Sequence, residues 1–267
     1  MSRKTIYYHD PLHDDFAPTN GRIRPKPIGA DFPYEHPSPV WQALAFVVYR
    51  LIMTPFLFLY CKLVFGLRIE NRKVLRELPG GYFLYGNHTN TLADAFIPTL
   101  LAFPRRANIV TAADTVSIPG VRNIVQMLGA VPLADTIDGT RQFLAALHRR
   151  IERRQAIMIY PGAHIWPYYN GIRPFPDTAF AYPVREQVPA VGVVVVYRQR
   201  KLLRFLPPCI TVVVGEPFYP DPSLPPRSAR RALHRKVYTF MCDTAARRRS
   251  YAHIEYLPAQ DTQPAAQ

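Results

Sequence analysis

The sequence predicts an α/β protein: a single domain with a mostly parallel central sheet flanked by helices, preceded by an N-terminal apolar membrane-associating helix pair. Three observations predict it. After residue 68, short apolar runs of strand length alternate with longer segments of helical period. Apolar residues make up 48% and charged residues 19% of 267, enough to bury a core and too apolar for a disordered chain. Residues 41–67 form a block far more apolar than the rest.

Residues 1–37 are rich in proline, neutral overall and without period, and predict an irregular arm. Tyr7, Tyr8, Phe16 and Tyr34 give it rings to pack with. Its start is polar and holds Asp10, Asp14 and Asp15, unlike a secretory signal, so export is not expected.

Residues 38–67 are the expected membrane-associating segment. Arg50 and Lys62 interrupt its apolar run, and a charge at the centre of a bilayer span costs roughly 2.5–3.5 kcal/mol. Pro55 adds a break or kink. The pattern therefore predicts two helices, 40–53 and 55–66, dipping into one leaflet with Arg50 and Lys62 reaching toward headgroups. A spanning helix and a buried hairpin remain the alternatives.

Residues 68–257 form the α/β domain. Runs 81–85, 107–111, 156–160, 189–197 and 210–214 predict buried strands. Segments 91–103, 121–127, 137–154 and 228–248 predict the helices between and after them. The tail, 258–267, is small and polar and is expected to be disordered.

The formal charge of +14 is unevenly placed: twelve Lys/Arg against three acidic residues between 198 and 249, and five Arg against Glu152 between 141 and 155. Such an excess implies an anionic partner, whether nucleic acid, an anionic membrane or a phosphate-bearing substrate. Nucleic acid is disfavoured because the cations are not interleaved with stacking aromatics and the apolar block would go unexplained. Cys61, Cys209 and Cys242 are odd in number and lack metal-ligand spacing, which argues against a disulfide framework or zinc and fits a reducing compartment.

The residues from Tyr85 to Asp94 fall where a strand ends and a helix begins, the usual address of a ligand site in such sheets. On one helix, His88 and Asp94 would stand about 120° apart in azimuth and about 9 Å in rise, out of reach. His88 is therefore expected in the loop, with Thr89, Asn90 or Thr91 capping a helix that carries Asp94. Asp94 can then fold back onto one imidazole nitrogen and leave the other free as a base. Each residue alone has a structural use, as a strand-end cap or a helix-dipole partner. Together in this loop they favour catalysis.

Asn87-His88-Thr89 followed by Asp94 resembles the first motif of the glycerolipid (lysophospholipid) acyltransferase family. The segment from Ser117 to Gly120 with that from Val125 to Leu133 is similar to the second block. Ile159-Tyr160-Pro161-Gly162-Ala163-His164 stands where the third falls, and Val188-Pro189-Ala190-Val191 resembles the fourth. The resemblance covers roughly 40–220. It implies acyl transfer from acyl-CoA or acyl carrier protein to the hydroxyl of a lysophospholipid, 1-acylglycerol-3-phosphate in type, at the cytoplasmic face of the cell membrane. His88 would be the general base and Asp94 its partner, with no cofactor and no metal. Asn87, Thr89, Asn90, Pro161, Gly162, Ala163 and His164 would stand in the substrate-binding blocks.

The chain departs from the family pattern in three places. His88 and Asp94 are separated by five residues instead of four. Gly162 and Ile165 replace the Glu and Arg of the third block, and Asp135 replaces an Arg that usually closes the second. Those residues serve acceptor binding, so a catalytically weak lipid-binding relative is the competing reading. Arg173 has two readings: a bidentate phosphate contact in place of the lost ones, or a loop arginine among packed aromatics. A serine hydrolase is excluded by the lack of any Gly-x-Ser-x-Gly elbow.

Overall fold

The computed structural model describes residues 4–16, 26–117, 120 and 122–259. In chain order the elements are β1 (Lys4–Tyr8), α1 (Pro39–Phe46), a π-helical stretch (Val47–Met53), α2 (Thr54–Val64), β2 (Arg68–Glu70), α3 (Lys73–Glu77), β3 (Tyr82–Gly86), α4 (Thr91–Ala102) and β4 (Ala107–Thr111). Then come α5 (Arg122–Met127), β5 (Ala130–Pro132), α6 (Ile137–Glu152), β6 (Ala156–Ile159), α7 (Ala181–Glu186), β7 (Ala190–Arg198), β8 (Cys209–Phe218), α8 (Pro226–Arg248) and β9 (Ile254–Pro258).

Seven strands make the main sheet in the order β2-β8-β7-β3-β6-β4-β5. Every neighbouring pair is parallel except β7 and β8, an antiparallel hairpin. Side-chain alternation along the strands sorts the core into two layers. Phe83, Tyr85, Ile157 and Ile159 face α6 and α8. Tyr82, Leu84, Ala156 and Met158 face α2, α3 and α4. Helices cover both faces of a mostly parallel sheet, as the alternation of apolar runs predicts.

The apolar block differs from the expected pair of helices. It is one helix, Pro39–Val64, long and apolar enough to cross a membrane by length and composition. Pro55 lacks the N–H that an α-helix would use at this point. The chain meets that loss just upstream by widening: the Thr54 N–H reaches back five residues to the Tyr49 carbonyl, which also accepts the Thr54 hydroxyl at 2.7 Å. The wide turn keeps the axis continuous and the inward row in register, with Ala45, Tyr49, Thr54, Leu57 and Cys61 buried. The opposite row, including Leu44, Leu51, Ile52, Phe56, Leu59 and Leu63, is exposed. Arg50 does not extend freely outward. It donates to the Pro104 carbonyl and lies 5.0 Å from the centre of the Phe103 ring.

The arm expected to be irregular carries β1, which pairs in parallel with β9 from Lys4–Ile254 to Tyr8–Pro258. The second strand comes from the chain's other end, so no local pattern announces the pair. Pro258 therefore ends a strand, and the disorder expected beyond Ala259 falls outside the described residues. Residues 1–3 and 17–25 of the arm, and Ile118 and Pro119 of the second block, fall outside them too.

Candidate active site

Strand β3 ends at Gly86, where a Cβ would overlap the Met158 methyl of β6, so the chain leaves the sheet there at close quarters. Asn90 is the N-cap of α4: it is extended, and its Oδ1 accepts the Ala93 N–H at 3.0 Å. Asp94, in the first turn, folds back over that cap. Its Oδ2 accepts the N–H groups of Thr89 and Asn90, both at 2.8 Å, and meets His88 Nδ1 at 2.7 Å.

A carboxylate only accepts, so this contact fixes the imidazole proton on Nδ1 and leaves the Nε2 lone pair free. The Asp94 side chain is 1% exposed and that of His88 is 20% exposed. The base is thus reachable while its partner is sheltered. Tyr160 backs the pair. Its ring stacks on the imidazole with centres 4.6 Å apart, and its hydroxyl donates to the Asp94 carbonyl at 2.6 Å. Burial first, and then the Asp94 charge, push the Tyr160 hydroxyl well above its ordinary pKa, so it remains a donor.

His88 and Asp94 line a cavity of about 670 Å³. Tyr49, Met53 and Leu57 of the apolar helix form part of its wall, with Phe96, Ile109 and Leu128 among the other apolar residues. Its polar lining includes Asp15, Asp114 and His164, and no Lys or Arg lines it among the described residues. The arrangement offers a base beside an apolar space large enough for a chain-bearing ligand.

The other residues expected at the site divide into two groups. Ala163 and His164 line the same cavity as His88, and His164 Nδ1 lies 3.8 Å from Asp15. Gly162 lines a separate small recess behind His88, and Pro161 lines neither. Asn87, Thr89 and Asn90 hold the scaffold. Asn87 bonds the main chain of Val195, Thr89 bonds the Tyr197 hydroxyl at 2.8 Å, and Asn90 caps α4.

Arg173, expected either as a phosphate contact or as a loop arginine among packed aromatics, is engaged by the main chain. It is buried, its three guanidinium nitrogens donate to the carbonyls of Pro11, His164 and Leu12 at 2.7–2.9 Å, and it lies 4.8 Å from the centre of the Trp166 ring. Burial lowers its pKa from the usual arginine value. The side chain clamps the arm to the loop after β6 and lines the small recess it shares with His88 and Gly162, not the larger cavity.

Sequence reasoning missed Tyr160 and Tyr49. The first stands one residue past β6, at the end of the run 156–160 and within the third block, where its aromatic ring was the available signal. Tyr49 looks like one more apolar residue of the block, yet its hydroxyl accepts the Ala107 N–H at 2.9 Å and docks the helix on β4.

No known protein family and no curated protein matches this chain in sequence. Its fold is similar to that of the crystal structure of the 1-acyl-sn-glycerophosphate (LPA) acyltransferase PlsC from Thermotoga maritima. The two are 15% identical, with a TM-score of 0.50 over 78% of this chain and 97% of that one. What the two chains share at that identity is the fold: a mostly parallel sheet with helices on both faces.

Proposed function

We propose that this chain is an acyltransferase that moves a fatty acyl group from a thioester, acyl-CoA or acyl carrier protein, to the hydroxyl of a lysophospholipid-type acceptor. The observation that carries the reading is the His88 Nδ1 to Asp94 Oδ2 contact at 2.7 Å, held by two backbone N–H groups, on the wall of an apolar cavity. His88 Nε2 takes the proton of the acceptor hydroxyl as its oxygen attacks the thioester carbonyl. The tetrahedral intermediate then breaks its C–S bond, and the departing thiolate takes the proton from His88. Asp94 holds the imidazole in the required tautomer throughout. The motif resemblance and the shared fold support the reaction class, and the exposed row of the apolar helix supports a membrane surface as its setting.

One observation bears on the acceptor. With Arg173 bound to carbonyls and no Lys or Arg among the described cavity residues, a phosphate has no cation to meet inside. This favours an acceptor whose phosphate, if any, stays outside the cavity, over a 1-acylglycerol-3-phosphate held as the family holds it. It also favours, as the second reading, a lipid-binding relative with weak catalysis.

The test is acyl transfer by wild type and His88→Ala, offering acyl-CoA or acyl carrier protein with lysophosphatidate, neutral and amine-bearing lysophospholipids, and glycerol 3-phosphate. Transfer by the wild type that falls at least about 100-fold in the mutant supports the base. No transfer to any acceptor by folded wild type sinks the enzyme and leaves lipid binding.

A further inference from the structure

The hairpin between β7 and β8 ends in side chains that water should not favour. Leu202 is 81% exposed and Phe205 is 82% exposed, with Leu203 exposed between them. Connecting loops are usually polar at the tip, and apolar groups clustered there indicate a surface to be covered.

The tip is fixed in place. Arg200 donates to the Val64 carbonyl at the end of the apolar helix and to Pro207 at 3.0 Å, across the base of the turn. The Ile210 N–H donates to Phe65 at 2.8 Å, and Arg198 donates to Gly66 at 2.8 Å. The hairpin is therefore bonded to the carboxyl end of the helix whose outer row is exposed and apolar, and the two apolar surfaces adjoin.

Charge identifies the occupant. Lys62, Arg68, Lys201 and Arg204 are exposed around this junction, and none makes an ion pair among the described residues. No carboxylate occurs between Arg198 and Cys209. Apolar tips ringed by unpaired cations match a bilayer with anionic headgroups, the chains taking Leu202 and Phe205 and the headgroups taking Lys201 and Arg204. A second copy of the chain would bring the same positive charge against itself.

We propose that residues 201–205 are a second membrane contact, inserting into anionic bilayers beside the apolar helix. The proposal extends the membrane setting of the function above. Strand β7 lies beside β3 and runs parallel to it, so the hairpin leaves the same edge of the sheet as the His88 loop. One contact along the helix leaves the domain free to rock about it. A second at this edge holds the His88 side of the sheet against the bilayer.

The test uses the full chain with vesicles of phosphatidylcholine and phosphatidylglycerol in equal parts. A Phe205→Trp substitution should add emission that shifts to shorter wavelength on vesicles and is quenched by lipids with brominated chains. Leu202→Ser with Phe205→Ser should weaken vesicle partitioning at least about tenfold, from lost apolar burial. Lys201→Gln with Arg204→Gln should weaken it roughly fivefold per cation, on anionic vesicles and not on phosphatidylcholine alone. These exposed positions leave the fold intact, checked by circular dichroism. Unquenched emission from vesicle-bound Phe205→Trp would overturn the proposal, as would variants that lose self-association while partitioning normally. All readouts should be the same in a His88→Ala background, so a failed acyl-transfer assay and a failed insertion assay are separate results.

Discussion

The side chain of Asn87 makes both hydrogen bonds with the main chain of Val195: Nδ2 donates to the carbonyl at 3.0 Å and Oδ1 accepts the N–H at 2.8 Å. The backbone ladder between β3 and β7 reaches Gly86 and Val193 and stops. Asn87 adds the next rung with its side chain, so the residue before His88 ties the His88 loop to the sheet. Replacing Asn87 with Ala leaves two buried backbone groups unpaired. The expected cost is about 2–4 kcal/mol, measured by urea or thermal unfolding. Asn87→Asp should not restore it, because a carboxylate has no proton for the Val195 carbonyl.

Asp94→Asn tests the charge behind His88 without emptying the site. The N–H groups of Thr89, Asn90 and His88 all meet the one Oδ2 atom, so an asparagine keeps them only with its oxygen there and its NH2 in place of the buried, unpartnered Oδ1. The imidazole then keeps its tautomer but loses the negative charge that steadies it as it takes a proton. On the proposed reaction, kcat should fall on the order of 10²- to 10⁴-fold with KM nearly unchanged. A fall confined to KM would reject this role for Asp94.

Arg173→Met removes the donor shared by three carbonyls and the cation beside Trp166. The arm around Pro11 and Leu12 should loosen, with stability lower by about 2–4 kcal/mol and faster proteolysis between residues 9 and 16. Arg173→Lys should recover little, since one ammonium cannot span the three acceptors. A phosphate-binding arginine would behave otherwise, raising KM for phosphate-bearing acceptors alone while the arm stayed protected.

These residues show how far the sequence could be read. The five buried strands and the helices between them were legible because burial on both faces writes continuous apolar runs, and each lies within a few residues of its expected place. So was the meeting of His88 and Asp94, since helix geometry allows it only with His88 outside α4. Arg173 was not legible, because its partners are backbone carbonyls 161 and 162 residues away and carbonyls carry no letter in a sequence. Strands β1 and β9 were hidden for the same reason of distance. Pro55 was read as a break, although a wide turn upstream supplies the alternative acceptor geometry that carries the helix past it.

His148 gives the fold a pH dependence of predictable sign. On α6, its Nδ1 lies 2.6 Å from the Glu186 carboxylate at the end of α7, and the hydrogen bond and charge of Glu186 raise its pKa above 6.5. Arg185 opposes the shift and Glu152, 3.4 Å from Nε2, adds to it. The folded state therefore holds this proton more tightly than the unfolded state does. The resulting stabilisation is fully present below pH 6.5, the unfolded value, and is lost as pH rises through the raised folded value. His148 is solvent-exposed, so the contribution is small and screened by salt. Between wild type and His148→Gln, the difference in unfolding midpoint should shrink as pH rises from 5.5 toward 8.5, and shrink further at high salt. A difference that grows with pH would reverse the sign and reject the Glu186 pairing.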